Sequence, residues 1–143
     1  MIVAVALVLV LGTAVPVVVQ VPVVQQAVVT YLTSLPADWN AMSPAALKSR
    51  LDAGEKIFLL DVREPHEFAD GHIPAAVNVP IRTLVANLDK LPAAKDAVIV
   101  VVCGSALRAA YGTMALSMLG YSNVKDMSSG MTGWVTQGFP VVK

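Results

Sequence analysis

Ala97-Val98-Ile99-Val100-Val101-Val102-Cys103-Gly104-Ser105-Ala106-Leu107-Arg108 decides how this chain is read. Six apolar residues, four of them valine, reach the only cysteine of the sequence without a break and then open into small residues. A short run this rich in β-branched side chains predicts a central strand buried on both faces of a parallel sheet. Cys103 would then emerge at the strand's carboxyl end, the edge where open α/β sheets place their ligands. The helical pattern that follows aims its positive end at the same point, and the N–H groups of residues 104–108 can curl around it. Such surroundings favour the thiolate, which is the nucleophilic form of cysteine, and Arg108 is placed to add a cation. The bland alternative is a buried cysteine acting as a small hydrophobe.

Working outward, the chain alternates strands and helices and predicts an α/β domain. Ser43-Pro44 caps and starts a helix that Gly54 ends. Ile57 to Leu60 reads as a second buried strand, running into Asp61-Val62-Arg63-Glu64. Pro65 opens a short helix through Phe68, Gly71-His72-Ile73-Pro74 turns into a brief strand at Ala76 to Val79, and helical spacing resumes from Thr83 to Leu88. After Cys103 come a helix stopped by Gly120, a short strand near Val124 and a helical turn around Trp134.

The 143 residues suffice for one domain with a substantial core. Ten basic and ten acidic side chains cancel, so no broad field attracts nucleic acid. One cysteine forms no internal disulfide, and with only His66 and His72 beside it no metal site is implied. Neither the dinucleotide-binding glycine pattern nor the P-loop occurs.

All twenty charges fall from Asp38 onward. Residues 1–36 therefore separate as an apolar signal or membrane-anchor segment and linker, and residues 37–143 as the domain. The apolar character runs from Ile2 through Val24, near the length that spans a bilayer. A secretory signal, an uncleaved anchor and a buried element of a soluble oligomer all fit it. The segment points to an exported or membrane-anchored protein, with residues 1–24 as the membrane contact and a cytoplasmic location not ruled out. Residues 25–42 read as a linker that packs Tyr31 and Trp39 against the domain.

Asp61-Val62-Arg63-Glu64-Pro65-His66-Glu67-Phe68 and Gly71-His72-Ile73-Pro74-Ala75-Ala76 resemble the first signature of rhodanese-like domains. Leu119-Gly120-Tyr121, Val124, Ser129-Gly130 and Gly133-Trp134 look like the family's closing region, so the resemblance spans roughly residues 43–142. It implies a three-layer α/β fold with a mostly parallel sheet, and a sulfurtransferase needing no cofactor. A donor such as thiosulfate would give its outer sulfur to Cys103 as a persulfide. A thiol, cyanide or protein acceptor would then remove it, splitting the transfer into two displacements. The loop Gly104, Ser105, Ala106, Leu107 and Arg108 would bind the donor, with Asp61, Arg63 and Glu64 as bracing groups and His72 stabilising a turn. Arg108 would either attract an anionic donor or pair with a carboxylate such as Asp61. Its six-residue loop favours sulfur over the phosphate or arsenate taken by phosphatase-like members, whose loops are one residue longer.

The loop departs from the family at three positions. Gly104 stands where a cation is frequent, Ala106 where glycine is frequent, and Leu107 is apolar. An alanine forced to positive φ at 106 would cost about 1 kcal/mol relative to glycine. These departures predict low turnover with small anions, and they keep open a non-enzymatic module that binds a partner or senses redox state through Cys103.

Overall fold

The computed structural model describes residues 20–143. Five strands form one sheet in the order β1-β5-β4-β2-β3, every pairing parallel. They are β1 (Ala41–Met42), β2 (Phe58–Asp61), β3 (Val77–Asn78), β4 (Ile99–Val102) and β5 (Val124–Met127). The helices are α1 (Gln20–Thr33), α2 (Pro44–Asp52), α3 (Pro65–Asp70), α4 (Leu107–Met118) and α5 (Gly130–Thr136), with a 3-10 segment at Ile81–Lys90 kinked at Asn87. β4 lies in the middle, and all four of its residues are fully buried, as its unbroken apolar sequence requires.

Alternation along the strands divides the core into two layers. Leu60, Ile99 and Val101 face α4 and the 3-10 segment, packing with Leu84, Ala109 and Leu116. Leu59, Val100, Val102 and Met127 face Leu47 of α2 and Met131 and Trp134 of α5. Helices cover both faces of the sheet, the three-layer arrangement anticipated from the sequence.

The punctuation residues act as read. The Ser43 hydroxyl accepts the Ala46 N–H at 3.1 Å and caps α2. α4 ends in a Schellman turn, with Gly120 at φ +89° and the Tyr121 N–H on the Leu116 carbonyl. His72 braces its turn by stacking on Phe68 at 3.7 Å. Trp134 is a core residue whose Nε1–H donates to the Pro140 carbonyl at 2.8 Å.

Residues 25–42 are the exception. These eighteen residues upstream of α2 were read as linker, whereas α1 carries helix through Thr33 and β1 adds an edge strand at Ala41–Met42. Valine density argues against helix on propensity alone; contact between α1 and α4 overrides it here. Trp39 is 72 % exposed and does not pack on the domain, while Tyr31 is half-buried beside Met118 and Tyr121. α1 leaves Val23, Val24, Val28, Val29 and Leu32 exposed. No described helix is long and apolar enough to cross a membrane, and most of the stretch 1–24 read as signal or anchor lies outside the described residues.

A cleft of about 760 Å³ separates α1 from the C-terminal end of α4. Its lining is uncharged, and it sits at the opposite end of α4 from Cys103. Its polar side chains are hydroxyls and amides, and the single thiol of the chain lies at the other end.

Candidate active site

β2 and β4 are neighbours in register, Asp61 opposite Val102, so the loops leaving them start side by side at the carboxyl edge of the sheet. Cys103 follows β4 directly and is 1 % exposed. The chain then bends sharply: Ala106, the residue before α4, has φ +86° and ψ −27°. This is the left-handed conformation that an alanine adopts only at a cost of about 1 kcal/mol. Alanine also has no oxygen with which to cap the helix. The Cys103 sulfur takes that position, accepting the Ala109 N–H at 3.4 Å in the first turn of α4. The thiol thus lies at the N-terminal, positive end of a helix dipole, which favours negative charge.

The outer side of the loop is held from α5. The Met131 N–H donates to the Cys103 carbonyl at 2.7 Å, and the Thr132 N–H and hydroxyl both donate to the Gly104 carbonyl, at 3.1 and 3.0 Å. Ser129 and Gly130, both at positive φ, bring these donors in. A Cβ on Gly130 would stand 2.4 Å from the Cys103 carbonyl oxygen, so only glycine fits.

The β2 loop supplies the charge. Asp61 and Arg63 form a buried pair, Nη2 to Oδ2 at 2.6 Å and Nε to both carboxylate oxygens. Arg63 spends its remaining donors on the carbonyls of Glu67 and Gly71, at 3.0 and 2.9 Å. Asn78 ties the Asp61 and Arg63 carbonyls to β3. A buried charge is tolerable only when paired and hydrogen-bonded to this degree. Glu67 then faces the cysteine loop and receives Arg108 bidentately, at 2.6 and 2.7 Å. The Arg108 hydrogen bonds pull the Glu67 carboxyl down to about 2. Glu67 in turn raises the Arg108 guanidinium further above its ordinary value, and the adjacent Cys103 adds to that effect.

The structure therefore brings the sequence-nominated residues together. Cys103 to Arg108 form one loop, with Asp61 and Arg63 beneath its neighbour. Of the two roles considered for Arg108, pairing is the one the geometry displays, and its partner is Glu67; Asp61 is already occupied by Arg63. Glu64 braces locally, its N–H donating to Glu67 Oε2 at 2.9 Å. Glu67, Ala109, Gly130 and Thr132 were not singled out beforehand. Glu67 had a local signal, the Glu64-x-x-Glu67 spacing of a capping box after Arg63. Gly130 had appeared only within the closing signature, and Ala109 and Thr132 carried no signal of their own.

Comparison with known proteins agrees with this geometry. The rhodanese-like domain family matches residues 43–137. A protein of Allochromatium vinosum named sulfurtransferase is 31 % identical over 103 residues, covering 72 % of this chain and 94 % of its own. A putative sulfurtransferase of Bacillus subtilis is 34 % identical over 93 residues, covering 65 % and 87 %. The crystal structure of a rhodanese-related protein from Thermoplasma volcanium superposes with a TM-score of 0.64 at 32 % identity, over 71 % of this chain and 96 % of that one. The extent of the match, the parallel sheet and the loop at the carboxyl end of β4 together show that this chain belongs to the rhodanese-like domain family, among relatives named sulfurtransferases.

Proposed function

We propose that the protein is a sulfurtransferase that carries sulfane sulfur as a persulfide on Cys103, taken from thiosulfate or a persulfide donor and passed to a thiol, cyanide or protein acceptor. The observation that carries this reading is the Ala109 N–H on the Cys103 sulfur at the head of α4. A sulfur that already caps a helix has its anionic form stabilised without rearrangement. The paired Arg108 holds the loop closed beside it. No cofactor is needed for two successive displacements at sulfur.

The test is the intact mass of the full chain before and after a sulfur donor, with Cys103→Ser alongside. A gain of about 32 Da, one sulfur atom, on the wild type alone and its loss on adding dithiothreitol or cyanide is the expected result. No adduct from thiosulfate or from an organic persulfide, on folded protein with a reduced thiol, rejects the reading. The alternative of a partner-binding or redox-sensing module draws on the 1 % exposure of Cys103. A binding module would keep partner capture in Cys103→Ser.

Membrane association or export is part of the same proposal. It rests on the uncharged sequence before Asp38 and on the exposed valines and leucine of α1. Cell fractionation with alkaline washing tests it: recovery of the full chain in the wash, free of membranes and in the cytoplasm, would refute it.

A further inference from the structure

The cysteine loop offers no unpaired charge to a donor. Gly104, Ser105, Ala106 and Leu107 are uncharged, and the one cation, Arg108, gives two hydrogen bonds to Glu67. Its guanidinium lies along the loop, with Nη2 3.3 Å from where a Gly104 Cβ would stand, so the pair presents itself as a neutral unit. At the mouth stands Leu107, 63 % exposed. Tyr111, 57 % exposed, and Met114, 37 % exposed, follow at the spacings that keep side chains on one helix face. An apolar stripe therefore begins at the reactive loop and runs down α4.

Resting on the sulfurtransferase reading, we propose that this mouth selects an organic persulfide whose leaving group is an uncharged thiol, with Leu107 as the specificity-determining residue. The Cys103 thiolate attacks the outer sulfur of R–S–SH. The new S–S bond gives Cys103–S–SH, the old S–S bond breaks, and the electron pair leaves with R–S⁻, which takes a proton from water. Any donor must place its leaving group outward of the sulfur under attack, against Leu107. Thiosulfate would bring a sulfonate there, desolvating charge beside a leucine with no free cation in the loop to compensate. An alkyl group instead buries apolar area on Leu107 and Tyr111.

The experiment compares three donors on the full chain: thiosulfate, N-acetylcysteine persulfide, which carries a carboxylate, and its uncharged methyl ester. Rates of sulfur gain on Cys103 are followed by quenched intact mass for wild type, Leu107→Arg and Leu107→Gln. The wild type is expected to favour the ester over the free acid. Leu107→Arg should raise the thiosulfate and free-acid rates relative to the ester by about tenfold, and added salt should erase that gain. Leu107→Gln should lose the ester preference without gaining the anions. Equal rates for acid and ester in the wild type, or ratios unmoved by Leu107→Arg, would overturn the proposal while leaving a sulfurtransferase. Failure of every donor to load Cys103 would remove the underlying reading as well.

Discussion

The loops after β2 and β4 start side by side and are built on opposite principles. The β2 loop is charge-rich and self-sufficient: Asp61 and Arg63 are buried against each other, and Arg63 pins two backbone carbonyls of its own loop. The β4 loop contains the thiol and little that could fix its shape. Its conformation is secured from outside, by Glu67 on one flank and by Met131 and Thr132 on the other. The cysteine loop itself holds no buried charge, and its neighbour does.

That contrast can be broken most forcefully at Asp61. Asp61→Asn leaves Arg63 buried without its counter-charge, and denaturant unfolding should register a loss of about 3–5 kcal/mol. A loss below about 1 kcal/mol would show that the β2 loop does not depend on its pair. Gly130→Ala strikes the β4 loop from outside. Overlap with the Cys103 carbonyl and the positive φ together should cost about 2–4 kcal/mol, with the thiol becoming more reactive toward an alkylating reagent as the loop opens.

The link between the loops is sharpened by acid. Because the folded-state pKa of Glu67 is depressed, from 4.5 to about 2, its stabilisation is complete above about pH 4.5 and disappears as the pH falls toward 2. Both partners are about one-third exposed, so the contribution is about 1 kcal/mol or less. Stability of Glu67→Gln should therefore fall less steeply than that of the wild type between pH 4.5 and 2, and parallel curves would dismiss the ion pair as a stabiliser. The smallest effect belongs to Ala106→Gly. Relief of the left-handed strain should raise stability by about 1 kcal/mol, less the entropy glycine returns to the unfolded chain.

Much of this was legible in the sequence, for identifiable reasons. β4 declared itself because a strand buried on both faces has no reason to alternate, and its end located Cys103. The strain at Ala106 was foreseeable from the resemblance, because glycine is frequent at that position of the family's loop. The partner of Arg108 was not foreseeable. Glu67 lies forty-one residues away, and choosing between it and Asp61 requires knowing that Arg63 has already taken Asp61. The clasp from Gly130 to Thr132 was only partly visible: Ser129-Gly130 stood in the closing signature, but that Thr132 and the Met131 N–H reach the cysteine loop is a matter of tertiary path. α1 was missed because valine-rich, uncharged sequence looks the same whether it forms a strand, an anchor or a helix laid along a neighbour.

The clasp has a consequence in time. Residues 129–132 are made after the cysteine they secure, so a nascent chain that has released Cys103 but not Thr132 carries the thiol without its loop. During synthesis the helix that it caps comes before the α5 donors that shape the loop, so the Cys103 and Gly104 carbonyls stay unclasped until residues 129–132 have been made. The geometry around the thiol is thereby completed by residues that lie well downstream of it in the chain.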